Sequence, residues 1–181
     1  MSLTLIIGCM YSGKSTELLR RVRRALAINN SVCLVNHALD TRYESNTVST
    51  HNGCNMKSFK YSSLKELDTA VNIVNEYNLI AIDEGQFFKD LEEYVKKFVE
   101  EYNLHVVIAG LIGDFKREKF GHMLDLIPFA TDIIHTKALC DGCKNGKEAV
   151  FTVKIHGEST QIDIGSIDKY KAVCRACYKN Y

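Results

Sequence analysis

The chain has 181 residues and a formal net charge of +1, with 46% apolar and 25% charged residues. This balance is typical of a globular protein with one core and room for a small appendage, and it argues against an overall basic, nucleic-acid-binding surface. Apolar runs are far shorter than the about 20 residues of a membrane span. The N-terminus lacks the basic region followed by an apolar stretch that is typical of a secretory signal peptide. We therefore expect a cytoplasmic protein without a membrane or nucleic-acid partner.

The first half of the sequence alternates between strand and helix patterns. Five apolar residues recur at helical spacing and predict one face of an amphipathic helix: Leu18, Leu19, Val22, Ala25 and Leu26. Residues 36–55 are polar without a sustained period, which predicts a long loop. The predicted elements are, in order, a strand over Leu3–Ile7, a helix over Ser15–Ile28, a strand over Ser31–Val35, a helix over Ser63–Tyr77 and a strand over Leu79–Asp83.

The second half begins in the same way and then changes character. Apolar residues at i, i+3, i+4 and i+7 predict a helix over Asp90–Tyr102, and a strand follows over Leu104–Ala109. This alternation predicts an α/β core in which helices flank a parallel sheet. After about residue 135 helical periodicity fades, and Ala149–Ile155 and Thr160–Ile164 have the pattern of a β-hairpin. We therefore predict a core of residues 1–135 and a small β lobe of residues 136–181.

A glycine-containing segment follows the first predicted strand and precedes an amphipathic helix. It matches the phosphate-loop pattern G-x-x-x-x-G-K-[ST]. Its glycines let successive backbone N–H groups face one anion, and the helix adds the positive end of its dipole. Lys14 would reach the β- and γ-phosphates of a nucleoside triphosphate, and the Ser15 hydroxyl would hold Mg²⁺. The predicted phosphate site comprises Gly8, Cys9, Met10, Tyr11, Ser12, Gly13, Lys14 and Ser15.

Two acidic residues, Asp83 and Glu84, follow the apolar strand over residues 79–82. In a protein with a phosphate loop, an acid at the end of a neighbouring strand faces the Mg²⁺ ion, so we predict that Asp83 is a metal ligand. Glu84 would lie beyond the metal, near an acceptor hydroxyl, where it could act as a general base. Taken alone, the pair could also be two solvated acids in a loop, but the phosphate loop favours the metal-binding interpretation.

Four of the seven cysteines form two Cys-x-x-Cys pairs, Cys140/Cys143 and Cys174/Cys177. In a reducing compartment such pairs indicate metal binding rather than disulfides. Four thiolates are the tetrahedral set that Zn²⁺ prefers, and a closed shell of four sulfurs predicts a structural ion rather than a catalytic one.

These features leave two other functions open. A nucleic-acid-stimulated ATPase would explain the phosphate loop, the acidic pair, the zinc lobe and a cluster of arginines at Arg20, Arg21, Arg23 and Arg24. The near-neutral net charge and the lack of a strip of basic and aromatic residues argue against it. A non-enzymatic nucleotide sensor would bind ATP but would not need Glu84.

Further motifs extend along the chain in a fixed order. They are Asp40-Thr41-Arg42-Tyr43, Asp83-Glu84-Gly85-Gln86-Phe87-Phe88, Ala109-Gly110-Leu111 and Asp168-Lys169-Tyr170. With the segment 8–16 and the four cysteines, they resemble the zinc-containing, tetrameric thymidine kinases of animal cytosol, poxviruses and many bacteria. The resemblance covers essentially the whole chain.

The resemblance implies a zinc-bearing lasso lobe on the α/β core, a homotetramer, and transfer of the γ-phosphoryl group of ATP to the 5′-hydroxyl of thymidine, a nucleotide-salvage step for DNA synthesis. It also implies that Glu84 is the general base and that thymidine triphosphate is a feedback inhibitor. By the same match the ATP site would add Thr16, Asp40, Arg42 and Gln86. The nucleoside pocket would comprise Met10, Phe87, Leu111, Phe115, Phe120, Thr152 and Tyr170, with the base held mainly by the main chain of Gln161, Ile162, Asp163, Ile164 and Gly165.

Cys9 departs from the family pattern, because the family usually has proline at this position. We hypothesise that the helix dipole lowers the pKa of its thiol and makes it sensitive to oxidation. Cys33 and Cys54 are expected to be small buried residues.

Overall fold

A computed structural model describes residues 1–40, 47–49, 55–156, 160–161 and 169–181. Among the helices within these ranges, none has the length and hydrophobicity of a membrane-spanning segment. Short 3₁₀ segments cover Gly85–Phe87 and Leu124–Phe129, and the π-helical segment Lys97–Glu101 continues helix α4. The elements are β1 (Ser2–Gly8), α1 (Lys14–Leu26), β2 (Val32–His37), β3 (Thr47–Ser49), β4 (Asn55–Lys57), β5 (Phe59–Tyr61), α2 (Leu64–Ala70), α3 (Ile73–Glu76), β6 (Leu79–Ile82), α4 (Leu91–Lys96), β7 (His105–Gly110), β8 (Asp132–Thr136), β9 (Ala138–Leu139), β10 (Glu148–Ala149), β11 (Phe151–Lys154), β12 (Tyr170–Val173) and α5 (Arg175–Tyr178).

A six-stranded sheet forms the centre of the core. Its strand order is β5-β2-β6-β7-β1-β8, and every neighbouring pair is parallel. In this register Ile6 of β1 lies between Ala109 of β7 and Ile134 of β8. The predicted parallel sheet flanked by helices is confirmed. Because all six strands run the same way, their carboxyl ends share one edge, where ligands bind in open sheets of this kind.

Both faces of the sheet are buried, as expected when helices cover a parallel sheet from two sides. Strand residues alternate between the faces, so Leu5 and Ile7 pack with helices α2 and α4, whereas Ile6 packs with helix α1. Leu18, Leu19, Val22 and Ala25 form the buried stripe of α1, as predicted. Leu26, predicted on the same face, is 45% exposed because it lies at the carboxyl end of the helix, past the buried stripe.

Two edge strands of the sheet were not predicted. β5 has only three residues, too few to show a period. β8 is mostly exposed, so its sequence lacks the alternation of apolar and polar residues that marks a half-buried strand. The predicted loop over residues 36–55 is also interrupted, because β3 and β4 pair antiparallel. Short or solvent-facing strands lack the apolar pattern on which sequence-based assignment depends.

The helix predicted over residues 63–77 is wrong as one element, because the chain forms α2 and α3 instead. Val71 between them has extended dihedral angles (φ −125°, ψ 134°) and packs against the core. Leaving the helix at this point turns Val71 inward, whereas Val74, predicted on the buried face, is 49% exposed. By contrast, the helix predicted over residues 90–102 is confirmed as α4 and its π-helical continuation.

The C-terminal lobe contains two small antiparallel pairs, β9 with β10 and β11 with β12. The predicted partner of the strand near residue 151 was Thr160–Ile164, but β11 pairs with Tyr170–Val173. Thr160 and Gln161 are not in a strand, and residues 162–164 lie outside the described residues. Cys174 directly follows β12, and its backbone N–H contacts Cys140 Sγ, so this pairing brings the second cysteine pair to the first.

Candidate functional site

The segment 8–15 connects the carboxyl end of β1 to the amino end of α1. Gly8 is needed for close approach, because a Cβ atom there would collide with the carbonyl oxygen of Thr136 and lie 2.6 Å from Ser12 Oγ. Gly13 is needed for its conformation, since φ 84° and ψ 19° lie in the left-handed region, where glycine has no steric cost. Each glycine of the motif thus has a separate structural reason.

Hydrogen bonds within the segment hold its shape. The Ser12 hydroxyl donates to the carbonyl oxygen of Cys9 at 2.8 Å and contacts Thr136 Oγ1 at 2.8 Å. Lys14 Nζ donates to the same carbonyl oxygen at 2.8 Å. The ammonium group is therefore folded over the segment.

The acidic residues after β6 approach this segment from the side. Asp83 is buried, and its Oδ1 accepts a hydrogen bond of 3.0 Å from the Ser15 hydroxyl. The two predicted Mg²⁺ ligands are therefore in direct contact across the sheet edge. Serine hydroxyl and carboxylate oxygens are the ligands that Mg²⁺ takes beside a nucleotide's phosphates.

Glu84 has an unusual backbone conformation for a residue with a side chain. Its dihedral angles (φ 53°, ψ 42°) lie in the left-handed region, which costs of order 1–3 kcal/mol and is typical of functional sites. Its Oε2 accepts a hydrogen bond of 2.6 Å from Gln86 Nε2. The family resemblance assigns Gln86 to the ATP site. In the structure its side-chain amide instead forms hydrogen bonds with Glu84 and with the backbone N–H of Leu111.

Two groups of aromatic residues include members of the predicted nucleoside pocket. Phe87 contacts Phe120 edge to face, with ring centroids 5.7 Å apart, and Leu111 follows the end of β7. In the second group, Lys154 Nζ lies 5.3 Å from the ring centroid of Phe115 and 5.6 Å from that of Tyr170. Apolar and aromatic surfaces with a few polar groups are suited to a planar base.

The C-terminal lobe packs directly on the glycine-containing segment. Thr152 Oγ1 in β11 accepts a hydrogen bond of 3.0 Å from the backbone N–H of Met10, and the Cys9 thiol donates to the carbonyl oxygen of Ala149 at 3.4 Å. Burial raises the pKa of the Cys9 thiol, and Lys14 only partly opposes this effect. The hypothesis that Cys9 has a lowered pKa is therefore wrong, because desolvation disfavours the thiolate more than nearby positive charge favours it.

The four predicted zinc ligands, Cys140, Cys143, Cys174 and Cys177, come together within this lobe. Their sulfur atoms all lie within 4.8 Å of one another, a spacing that fits one tetrahedral Zn²⁺ ion. The backbone N–H of Cys174 donates to Cys140 Sγ at 3.1 Å. Burial acts to raise the pKa of Cys140, but hydrogen bonds from the backbone near Cys143 and Cys174 outweigh it and lower the pKa to about 6. The hydrogen bond with Cys174, together with burial, instead raises the pKa of Cys177 to about 12. The four thiols thus influence one another, and a bound cation would favour the thiolate form of all four.

The profile of the family "Thymidine kinase" matches residues 1–178. The chain is 39% identical to "Thymidine kinase" of Amsacta moorei entomopoxvirus, covering 99% of each chain, and 40% identical to "Thymidine kinase, cytosolic" of Gallus gallus, covering 96% of this chain and 75% of that one. It is 37% identical to "Thymidine kinase a" of Arabidopsis thaliana, covering 96% and 73%.

The chain belongs to the thymidine kinase family. This membership confirms the resemblance stated from the motifs, and the four clustered cysteines agree with the zinc-containing type.

Several residues that the family resemblance selected are placed by this structure. Asp40, just after β2, is buried and accepts a hydrogen bond of 2.8 Å from Asn36 Nδ2. Gln161 contacts the core through its side chain, since its Nε2 donates to Asp114 Oδ2 at 2.9 Å and to the carbonyl oxygen of Lys119 at 3.1 Å. Arg42, Ile162, Asp163, Ile164 and Gly165 lie outside the described residues.

Sequence reasoning gave no structural role to two residues that organise this part of the molecule. The Asp114 carboxylate accepts hydrogen bonds from the backbone N–H groups of Lys116 and Glu118 as well as from Gln161, so it shapes a turn and joins it to the lobe. An aspartate that bonds to the backbone two residues later is a known turn signal that could have been used. The second residue is Gly142, between Cys140 and Cys143. A Cβ atom there would lie 2.9 Å from Cys177 Cβ and 3.0 Å from its sulfur, so only glycine leaves room for the cysteine cluster.

Proposed function

We propose that this chain transfers the γ-phosphoryl group of ATP to the 5′-hydroxyl of thymidine and releases dTMP and ADP. The observation that carries the proposal is the hydrogen bond of 3.0 Å between Ser15 Oγ and Asp83 Oδ1, with Glu84 as the next residue. It joins the glycine-containing segment to the end of β6. A metal-bound phosphate and an acceptor hydroxyl would therefore meet beside Glu84.

The donor site would use the backbone N–H groups of residues 8–15 and the ammonium of Lys14 to hold the phosphates. Thr16, Asp40 and Arg42 would complete it, as the family resemblance implies. Ser15 and Asp83 would hold Mg²⁺, which when bound neutralises charge on the β- and γ-phosphates.

The acceptor would lie between Glu84 and the aromatic residues. Glu84 takes the proton of the 5′-hydroxyl while that oxygen forms a bond to the γ-phosphorus, and the bond to the β–γ bridging oxygen breaks with its electron pair leaving on ADP. Phe87, Leu111, Phe115, Phe120, Thr152 and Tyr170 would surround the nucleoside, together with Met10 and the main chain of residues 161–165.

The lobe would have a structural role in this reaction. We propose that residues 136–181 form a zinc-bearing lasso that supports the nucleoside pocket on a kinase core of residues 1–135. Its support is the contact of Thr152 with the backbone of Met10. We also propose a homotetramer, feedback inhibition by thymidine triphosphate at the nucleoside site, and a cytoplasmic location, all of which rest on the family resemblance.

Thymidine-dependent ADP formation tests the proposal. Glu84→Gln removes the base but keeps the size of the side chain, so turnover should fall by about 10²–10⁴-fold. Glu101→Gln, an identical change at an exposed position, should keep the wild-type rate. Single-stranded DNA in place of thymidine should produce no turnover, which separates this function from a nucleic-acid-stimulated ATPase. Unchanged turnover in Glu84→Gln would reject Glu84 as the base.

A further inference from the structure

The side-chain amide of Gln86 connects the end of β6 to the end of β7. Its Oε1 accepts a hydrogen bond of 2.9 Å from the backbone N–H of Leu111, and its Nε2 donates to Glu84 Oε2 at 2.6 Å. A backbone N–H can only donate, so the amide oxygen must face Leu111. The NH₂ group must then face Glu84. The orientation of this amide is thus determined by the main chain of a neighbouring strand.

The surroundings of Gln86 leave the side chain little freedom. The residue is only 3% exposed. A Cβ at Gly110 would lie 2.9 Å from Gln86 Oε1, and a Cβ at Gly121 would collide with the backbone carbonyl oxygen of Gln86. Two glycines therefore make the space that Gln86 occupies. A side chain packed this closely holds whatever it bonds to in one place.

Glu84 depends on such a partner for its geometry. Its carboxylate is at the end of a side chain with three rotatable bonds, and its backbone has a left-handed conformation that alone does not orient the carboxylate. A hydrogen bond to one carboxylate oxygen sets the direction of the other. Proton transfer from a substrate hydroxyl requires that a carboxylate oxygen lie within hydrogen-bonding distance of it.

We propose that Gln86 is a positioning residue that holds the Glu84 carboxylate in the orientation in which it accepts the proton of the nucleoside hydroxyl. The same amide bonds to the backbone of Leu111, which is predicted to line the nucleoside pocket. Gln86 therefore also fixes the position of the Glu84 carboxylate relative to that pocket. This inference rests on the proposed function, because it gives Gln86 a role only if Glu84 is the base.

The first test is Gln86→Met, which keeps the length of the side chain and removes both hydrogen bonds. A base displaced by about 1 Å costs on the order of 10²-fold in rate, so kcat should fall by about 10- to 100-fold. The KM values for thymidine and ATP should stay within about twofold, because loss of positioning affects the transition state rather than ground-state binding. A raised KM with unchanged kcat would overturn the inference.

The second test is the double variant Glu84→Gln/Gln86→Met. If Gln86 acts through Glu84, the double variant should be no slower than Glu84→Gln alone. Full additivity of the two losses would overturn the positioning role while leaving Glu84 as the base. Wild-type turnover in Glu84→Gln would instead reject the proposed function itself, so the two failures are distinguishable.

The third test separates positioning from packing. Gln86→Glu keeps an acceptor for the Leu111 N–H and nearly the same volume but places a second carboxyl group against Glu84. Two adjacent carboxyl groups share one proton, which makes Glu84 a poorer base, so Gln86→Glu should lose at least as much kcat as Gln86→Met even though it keeps the packing and the Leu111 contact. Wild-type kcat in Gln86→Glu would overturn the inference. Failure of both variants to fold would also overturn it, because Gln86 would then be required for packing.

Discussion

His37 illustrates how a single residue is constrained at the carboxyl end of β2. Its Nδ1 accepts a hydrogen bond of 3.0 Å from the backbone N–H of Leu39, and its Nε2 lies 3.1 Å from the carbonyl oxygen of Ser62, to which it must donate. Its ring also contacts Phe88 edge to face at 4.6 Å. These contacts satisfy a neutral imidazole, and a proton on Nδ1 would point at the donor on Leu39.

We expect His37 to make stability depend on pH. Burial lowers the pKa of His37 below its ordinary value of 6.5, although the carbonyl of Ser62 and the carboxylates of Asp90 and Glu66 act in the opposite direction. The unfolded chain then binds the proton more readily than the folded chain, so the contribution is present above pH 6.5 and is lost as pH falls below it. The free energy of unfolding of wild type relative to His37→Gln should therefore decrease between pH 7.5 and pH 5.5 in urea denaturation. A difference that stays constant over this range would contradict the expectation.

Single residues differ in how well the sequence predicted them. The glycines, Lys14 and Ser15 were predicted because each residue type in the phosphate-loop pattern has one physical purpose at a fixed local spacing. The contacts of Gln86 and Asp114 could not be predicted in the same way. Leu111 and Gln161, their partners, come from other parts of the chain, and only folding brings them together.

At the scale of elements, helix α2 shows how short segments are stabilised by neighbours. It has seven residues, too few to be stable alone. Ser63 Oγ accepts from the backbone N–H of Glu66, and the carboxylate of Asp90 accepts from the N–H groups of Leu64 at 3.2 Å and Lys65 at 2.9 Å. An acid from the start of α4 therefore caps a helix that lies earlier in the chain.

Removing this cap should destabilise the protein measurably. Asp90→Ala leaves two N–H groups at the start of α2 without their charged acceptor, so the free energy of unfolding should fall by about 1–2 kcal/mol. Asp90→Asn keeps an acceptor oxygen but loses the charge, so its free energy of unfolding should lie between those of wild type and Asp90→Ala. Glu93→Ala, at an exposed position in α4, is the control and should change it by less than about 0.5 kcal/mol. Equal values for Asp90→Ala and Glu93→Ala in urea denaturation would refute the capping role.

At the scale of the whole molecule, the C-terminal lobe and the glycine-containing segment form one buried cluster. Cys9 of the segment is buried together with Ala149, Val153 and Val173 of the lobe. The lobe is also held to the core by Tyr178, whose hydroxyl donates to the carbonyl oxygen of Phe115 at 3.0 Å, and by Arg117, which lies 4.3 Å from the ring centroid of Tyr178. Residues proposed to bind phosphate, nucleoside and zinc are thus connected through packed side chains.

Loss of the metal should therefore affect the nucleoside as well as stability. Cys174→Ser removes one of the four thiolates, so the zinc content and the thermal unfolding midpoint should both fall. Thymidine affinity should fall by about tenfold or more, within the usual range for coupled sites. The matched control is Cys33→Ser, which alters a cysteine in the sheet core and should lower stability without loss of zinc. Metal analysis and calorimetric titration with thymidine test this. Zinc lost with thymidine affinity unchanged would show that the lobe does not support the pocket.

The charge of the arginine cluster on α1 also bears on the function of the whole molecule. Arg20 and Arg21 both form ion pairs with Glu17 on the same helix, at 2.5 Å and 3.0 Å. The one carboxylate is shared by two of the four arginines, so it offsets a single positive charge of the cluster and holds two of its side chains along the helix surface. This reduces the support for the nucleic-acid-stimulated ATPase.

The sequence by itself determined the features that depend on local spacing: the glycine-containing segment, the two cysteine pairs, the amphipathic α1, and the strand–helix alternation that implies a parallel sheet. Only the tertiary structure decided the strand order, the edge strands, the break after α2 and the pairing of β11 with β12. It also decided that Cys9 is buried and that Gln86 bonds to Glu84. Local spacing is a property of the chain, whereas burial and hydrogen-bond partners depend on residues that are distant in sequence and meet only when the chain is folded.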